Sequence, residues 1–318
     1  MVESVKSPSV DRRSLAACVA HPDDECYPTY GSVALHANDP GFRLCVLHAT
    51  DGAAGEIAPG IPATRETLGP FRRDEDERAW RAVGCLPARH DWLQYPDGQL
   101  DQVPFDELVS RVADFLSDER PDVVFTFGPD GVTGHPDHIT IGRATDEAFH
   151  RVRVHGGPGM LRLLHGGIPL SLFERQQAWL ASQGRRVWEP DRMYHLRGTP
   201  DELIGVELDT RPVADHVLAG LKEHRSQRHV IFDGDSDEEW RKASSRETHV
   251  IAWPPRTPGQ RRLHDIFEDL DQLTPAPSLA RLAPSSASTT PTESRSSSTA
   301  AQNQGRLEPQ STHSREVL

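Results

Sequence analysis

Short apolar runs alternate with longer amphipathic stretches over most of this chain. Residues 15–20 and 42–48 are apolar runs that predict strands, and residues 29–37 between them have the periodicity of a helix. Residues 123–127 form the most apolar run and predict a strand that is buried on both faces. This alternation of strands and helices predicts an α/β fold with a mostly parallel sheet.

The same alternation continues with weaker periodicity towards the C-terminus. Helices are predicted at residues 71–83, 105–116, 173–181 and 211–224, and strands at residues 160–164, 204–208 and 249–253. Residues 51–70 form a long connection rich in Gly and Pro, and a loop of that length is usually functional. We interpret residues 222–227 as the solvated, basic end of a late helix.

The two ends of the chain differ in composition from the region between them. Residues 1–13 are polar and carry Glu3 and Asp11 where a secretory signal would need an apolar core. Residues 274–318 are rich in Ser, Thr, Pro, Ala and Gln and have almost no large apolar side chains. We therefore expect a flexible N-terminus at 1–13, one folded domain at 14–273, and a low-complexity, disordered tail at 274–318.

Composition argues against several classes of function. Lys and Arg number 35 against 48 Asp and Glu, a formal charge of −13, and no basic cluster stands out. We therefore expect no nucleic-acid partner. No stretch approaches the length of a membrane-spanning helix. The four cysteines form no C-x-x-C pair, so they indicate neither a sulfur metal site nor a disulfide framework, and Cys26 is expected to be a buried thiol. A cytoplasmic protein fits best.

Two His/Asp clusters follow two of the predicted strands. Residues 21–25 are His-Pro-Asp-Asp-Glu, and residues 135–138 are His-Pro-Asp-His. Open α/β sheets carry their sites at the carboxyl ends of the strands, so the two clusters are expected to meet. In each cluster two candidate ligands lie three residues apart, a spacing that lets one helical turn direct both side chains the same way. A catalytic zinc ion needs three protein ligands and an open position for water, and the clusters supply candidates for both.

A proline is the second residue of each cluster. Pro22 and Pro136 have a fixed φ that suits the first turn of a helix, so both His-Pro-Asp units are predicted to begin helices. Any one of these His or Asp residues, taken alone, is equally well explained as a helix cap or a turn residue. The repetition of the unit after two strands favours the metal site.

Residues 20–25, with the sequence AHPDDE, and residues 134–138, with the sequence GHPDH, resemble the motifs of the LmbE-like, or PIG-L-like, family of N-deacetylases. The resemblance extends over about residues 14–255. It implies a Rossmann-like, three-layer fold. It also implies that acetyl or other acyl groups are removed from N-acylated sugars with a zinc ion held by two histidines and one aspartate.

Carried over by position, the resemblance implies a role for each residue of the two clusters. The zinc ligands would be His21, Asp24 and His138, with one ion per chain and other divalent metals acceptable. Asp23 would be the general base that takes a proton from the water activated by the metal. His135 would stabilise the developing oxyanion as an imidazolium and then protonate the leaving amine. Asp137 would hold a histidine in its orientation.

Two further positions match the substrate contacts of the sugar-processing members. Arg72 could hold an oxygen-rich substrate with its fork of donors, and Asp97 could accept hydrogen bonds from vicinal hydroxyls. A charged helix face and an ordinary turn explain the same two residues equally well. Some mycothiol-pathway relatives carry a tyrosine where this chain has Thr133, so their oxyanion arrangement does not transfer completely.

The predicted function is hydrolysis of an N-acetyl or other N-acyl group from an aminosugar or glycoconjugate, which would be the small-molecule partner. Within the same chemistry, the alternative is an amidase that acts on a thiol conjugate, and residues 51–70 and 160–190 would separate the two. A third alternative is a binding module that kept the fold and lost the reaction, but all candidate ligands and the base are present. A homo-oligomer is left open.

Overall fold

The computed structural model describes residues 13–228, 236–257 and 259–275. The predictions of a flexible N-terminus and of a disordered tail therefore lie almost entirely outside the described residues. Arg13, which was assigned to the N-terminus, is the first residue of the first strand.

The predicted apolar runs form strands that assemble into one large sheet. The strands are β1 (Arg13–Val19), β2 (Phe42–His48), β3 (Arg89–Trp92), β4 (Val123–Thr126), β5 (Arg162–Gly166), β6 (Ile168–Pro169), β7 (Gly198–Thr199), β8 (Ile204–Asp209) and β9 (Arg246–Trp253). In the described part of the chain, seven of them form a sheet in the order β3-β2-β1-β4-β5-β9-β8, and β6 pairs with β7. The strands from β3 to β5 in that order are parallel, whereas β9 is antiparallel to both β5 and β8. The sheet is thus mostly parallel, as predicted, with a Rossmann-like strand order.

Helices cover both faces of the sheet and complete the three layers. They are α1 (Cys26–His36), α2 (Leu68–Val83), α3 (Phe105–Glu119), α4 (Pro136–Val154), α5 (Leu170–Ser182), α6 (Ala214–Glu223) and α7 (Asp237–Ala243). Helices α1, α2 and α6 pack together, and α3 packs against α4. Because both faces are covered, the central strands β1 and β4 are buried along nearly their whole length, which explains their continuous apolar sequences.

Most of the predicted elements are confirmed, with ends that shift by up to three residues. Strand β3 was not predicted. It lies at the edge of the sheet, and its sequence Arg-His-Asp-Trp is partly exposed along its whole length, so it lacks the apolar pattern that marks the central strands. None of the described helices is long and apolar enough to cross a membrane.

The two His-Pro-Asp units begin differently. Helix α4 begins at Pro136, as predicted, with His135 as its N-cap. The prediction for the first unit is wrong, because residues 22–25 form a turn and α1 begins only at Cys26. The reason is the backbone of Asp23, whose φ of 98° is incompatible with a right-handed helix.

The interpretation of residues 222–227 as a solvated helix end is also wrong. His224, Ser226 and Gln227 are buried. Ser226 donates its backbone N–H and its hydroxyl to the two carboxylate oxygens of Glu75, at 2.8 and 2.6 Å. The segment after α6 is therefore fastened to α2, and Cys26, as expected, is a buried free thiol.

Candidate functional site

The site lies where β1 and β4 end. These strands are parallel neighbours, with Leu15 opposite Val123 and Ala17 opposite Phe125. The chain leaves β1 for β2 on one side, whereas β4 lies on the other, so the strand order reverses between them. At such a point the loops after the two strands diverge and leave a crevice for a ligand. Both His/Asp clusters emerge here.

The turn after β1 directs its two aspartates to different places. Asp24 turns back, and its carboxylate accepts a hydrogen bond from the backbone N–H of His21 at 2.7 Å. Asp23, with its positive φ, is directed towards Arg72, whose Nη2 lies 3.1 Å from its Oδ2. Two adjacent carboxylates can therefore take separate roles.

Three side chains converge in this crevice. Nδ1 of His21 lies 3.2 Å from Asp24 Oδ2, Nε2 of His138 lies 3.0 Å from Asp24 Oδ1, and the two ring nitrogens are 3.3 Å apart. Bonds of about 2.0–2.1 Å in a tetrahedron would separate ligand atoms by about 3.3 Å. The donor set and its spacing therefore fit a divalent metal ion such as Zn²⁺.

Hydrogen bonds leave the converging nitrogens free to bind a metal. Nε2 of His21 lies 2.9 Å from Asp97 Oδ1, and Nδ1 of His138 lies 3.1 Å from the carbonyl oxygen of Gly131. If each of these outer nitrogens carries the ring proton, the nitrogen that faces the crevice has a lone pair, as metal-binding histidines require. Phe127 stacks on the His138 ring at 4.2 Å and fixes its plane.

The electrostatics of the crevice favour a positive charge. Burial opposes a charge on His21, yet the carboxylates of Asp24, Asp137 and Asp97 raise its pKa well above its ordinary value. Burial likewise opposes ionisation of Asp24, but His138 and His21 lower its pKa well below the usual range. A metal ion bound to His21 would replace this proton and meet the same attraction.

Asp23 is placed beside the three converging side chains as a group that can exchange a proton near neutral pH. Burial raises its pKa to about 7, against the opposing charge of Arg72. Arg72 is itself buried and donates to the carbonyl oxygens of Pro22 and Gly52, at 2.5 and 2.9 Å. Its guanidinium thus holds the turn and the carboxylate of Asp23 in place, and a contact between Arg72 and substrate stays a prediction.

Asp97 and Asp137 both lie behind His21. Besides its contact with His21, Asp97 accepts a hydrogen bond from the backbone N–H of Ala54 at 2.7 Å. Asp137 is fully buried, lies 3.4 Å from Nε2 of His21, and accepts hydrogen bonds from the backbone N–H groups of Gly98 and Leu100. Both carboxylates are engaged with the protein, so a substrate contact by Asp97 also stays a prediction.

His135 lies next to the converging side chains, with its ring 4.8 Å from those of both His21 and His138. Burial, together with these two neighbouring rings, lowers its pKa to about 4. Its Nδ1 accepts a hydrogen bond from the backbone N–H of Asp137 at 3.0 Å. The ring is therefore neutral near pH 7 with its proton on Nε2, in contrast to the imidazolium expected from the sequence.

Comparison with known proteins agrees with this geometry. Residues 16–149 match the family model for PIG-L, GlcNAc-PI de-N-acetylase. The chain is 28% identical over 292 residues to the 1D-myo-inositol 2-acetamido-2-deoxy-α-D-glucopyranoside deacetylase of Acidothermus cellulolyticus, covering 81% of this chain and 96% of that protein. A second relative, from Saccharopolyspora erythraea, has the same name with the number 2. The two sequences are 30% identical over 245 residues, which cover 68% of this chain and 84% of that protein. The chain belongs to the PIG-L family.

Solved structures support the fold of this PIG-L family member. The N,N'-diacetylchitobiose deacetylase from Pyrococcus horikoshii aligns with a TM-score of 0.51 at 20% sequence identity, over 78% of this chain and 87% of that one. The family membership and the named relatives make this chain a deacetylase, an enzyme that hydrolyses linear amide bonds.

One residue at the site of this PIG-L protein was missed by the sequence analysis. Tyr194 is 61% exposed and meets the ring of His135 edge to face at 5.1 Å. Its segment is fixed to the loop before the second cluster, because the backbone N–H of Arg197 donates to the carbonyl oxygen of Val132 at 3.0 Å. The available signal was the pair Met193-Tyr194, two large apolar residues within a polar, proline-containing stretch.

Proposed function

We propose that this chain is a zinc-dependent N-deacetylase that hydrolyses the acetamide of an N-acetylglucosamine unit in a small glycoconjugate. The observation that carries the proposal is the convergence of His21, Asp24 and His138 with Asp23 beside them. Two relatives are named as deacetylases of 1D-myo-inositol 2-acetamido-2-deoxy-α-D-glucopyranoside, which makes an N-acetylglucosaminide of a polyol the first candidate substrate.

The protein's own groups would divide the proton transfers among them. A divalent metal held by the three ligands would acidify a water molecule and polarise the acetyl carbonyl. Asp23 accepts the proton of the attacking water, because Arg72 fixes its carboxylate and burial brings its pKa to about 7. With that pKa, Asp23 is also able to return the proton to the leaving amine, which cannot depart as an amide anion.

His135 would stabilise the charge that develops on the carbonyl oxygen. Its neutral ring carries the proton on Nε2, since Nδ1 is occupied by the backbone N–H of Asp137. A fixed N–H donor in a largely buried site stabilises an oxyanion without rearrangement of solvent, an effect of about 10²–10³ in kcat for a single donor.

Tyr194 would contact the sugar. Its exposed ring contacts His135 at the edge of the site, and a large aromatic ring with a polar hydroxyl can pack against the apolar face of a pyranose. We expect Tyr194→Ala to raise KM by about tenfold with little change in kcat, the mark of lost ground-state binding. Tyr194→Phe separates ring from hydroxyl: an unchanged KM supports contact by the ring alone. A Tyr194→Ala protein with wild-type KM would contradict the contact.

The decisive experiment for the reaction is acetate release from a panel of N-acetylglucosaminides and N-acyl thiol conjugates by zinc-loaded protein. Asp23→Asn should lower kcat by about 10²–10⁴ at unchanged metal content, because only the base is lost. Asp101→Asn is the matched control, since Asp101 is exposed on the 3₁₀ turn Leu100–Gln102. Wild-type turnover by Asp23→Asn would refute the mechanism, and exclusive cleavage of thiol conjugates would favour the amidase alternative.

A further inference from the structure

A second group of buried polar side chains lies behind the turn after β1. His48 is the last residue of β2, His90 belongs to β3, and Asp76 lies in α2. Strands β2 and β3 are parallel neighbours, which brings the two histidines to the same end of the sheet. The side chains of His48 and Asp76 are completely buried, and that of His90 is 19% exposed. We call these three residues the rear cluster.

The ligand atoms of the rear cluster lie close to one another. Nδ1 of His48 lies 3.0 Å from Nε2 of His90, and the same Nε2 lies 3.4 Å from Asp76 Oδ2. All three ligand atoms lie within 4.8 Å of one another. Tetrahedral coordination at about 2.0–2.1 Å requires separations of about 3.3 Å, so one imidazole–imidazole–carboxylate site fits without a change of fold.

His48 is oriented as a metal-binding histidine is. Its Nε2 lies 3.3 Å from Oε2 of the buried Glu25, which places the ring proton on that side and a lone pair on Nδ1. Trp92 stacks on His48 at 4.4 Å with an interplanar angle of 15°, and on His90 at 4.9 Å with an angle of 28°. The two imidazole planes are therefore fixed with ring nitrogens facing each other.

Asp76 supplies an independent indication of a missing partner. It is fully buried, and neither of its carboxylate oxygens accepts a hydrogen bond of normal geometry. The carboxyl of Glu25, which is also buried, is its close neighbour. A buried carboxylate in these surroundings needs either a proton or a cation. The nitrogens of the two neighbouring neutral imidazoles carry no positive charge, but they can bind a cation together with the carboxylate.

The rear cluster is accessible from the edge of the sheet. His90 lines a cavity of about 390 Å³, whose charged lining consists of Asp91, Asp114, Arg73, Arg89 and Arg111. The His90 side chain, which is 19% exposed, is thus the part of the rear cluster that borders this cavity.

We propose that His48, Asp76 and His90 bind a second divalent cation of the class that prefers imidazole and carboxylate ligands, Zn²⁺ first among them. The ion would join β2, β3 and α2 behind the catalytic turn and stabilise the folded chain, because an ion that binds only the folded state adds its binding free energy to stability. The site is separate from His21, Asp24 and His138 and does not depend on the proposed substrate.

The test is the metal content of the full, tag-free chain after chelation, reloading with Zn²⁺ and desalting. Elemental analysis should give two ions per wild-type chain and one per chain in His90→Gln and in Asp76→Asn. His138→Gln should also give one, and the double variant His138→Gln/His90→Gln should give none. Asp91→Asn, on the same strand and beside the same cavity, is the control and should retain two.

A second measurement keeps the proposal testable if Asp76→Asn does not fold. In His138→Gln, which retains only the rear cluster, added Zn²⁺ should raise Tm, and the further change His90→Gln should abolish that rise. One ion per wild-type chain, with no loss in His90→Gln, would overturn the proposal. So would a second ion that persists in His90→Gln. Neither result bears on deacetylation, which is lost separately in His138→Gln.

Discussion

Two His-Pro-Asp units of identical sequence take different conformations in this chain, and we propose that they supply different chemistry. In the first unit, Asp23 has a positive φ and the helix is delayed to Cys26. In the second, Pro136 begins α4 at once and the ring of His135 accepts a hydrogen bond from the helix N-terminus. The tripeptide itself therefore fixes neither the backbone nor the role of its residues.

The first histidines of the two units also differ in their electrostatic surroundings. The pKa of His21 is raised well above its ordinary value by the carboxylates around it, whereas that of His135 is lowered to about 4. The second unit supplies its candidate ligand one residue beyond the tripeptide, where His138 occupies the first turn of α4. The proposed ligand His138 and the proposed donor His135 thus lie three residues apart at the start of the same helix.

The prediction with the largest expected effect replaces His135 and His138 with Gln, one at a time. His138→Gln should remove one metal ion per chain and lower kcat by more than about 10³-fold, because the cation and its charge are lost. His135→Gln should retain the metal and lower kcat by only about 10²–10³-fold. The measurements are metal content and initial rates of acetate release. Loss of metal in His135→Gln, with retention in His138→Gln, would reverse the assignment.

The sequence could predict some parts of the fold and not others. Strands β1, β2 and β4 are buried on both faces, so their apolar runs gave nearly correct bounds. The edge strand β3 has no such pattern. The positive φ of Asp23 has no clear local signal either, because only the residues on either side of the tripeptide distinguish this Asp from Asp137.

The candidate metal ligands could be proposed from sequence because two repeated motifs followed two recognisable strands. The environment of each side chain at the site could not be predicted from the sequence. The neutral state of His135 depends on a backbone N–H and on two rings that lie together only in the folded chain. The rear cluster joins residues from β2, α2 and β3 that share no motif, so only the tertiary structure brings them together.

The pH dependence of kcat/KM tests the neutral state of His135. Asp23 must be ionised to act as a base, so kcat/KM should rise with pH through its pKa, which a bound cation would bring below about 7. His135, with a pKa of about 4, loses no proton above that range and should contribute no decline at high pH. Profiles from about pH 5 to pH 9 should have the same shape for wild type and His135→Gln. The contrary outcome is a bell-shaped profile for wild type whose decline at high pH is absent in His135→Gln. That result would identify His135 as an acid that acts in its imidazolium form.

The smallest effect compares the backbones of the two aspartates directly. At position 23, where φ is 98°, the Gly variant should be more stable than the Ala variant by about 1–2 kcal/mol, because Ala would be strained in this conformation, as Asp is, whereas Gly would not. At position 137, inside the first turn of α4, the order should reverse, with Gly less stable than Ala by about 0.5–1 kcal/mol. At each position the Gly and Ala variants both lack the carboxylate, so the contribution of its lost contacts cancels when their free energies of unfolding are compared. Urea unfolding of the four variants in one metal state measures both differences. Ala more stable than Gly at both positions would mean that the two units share one conformation, and the contrast between them would fail.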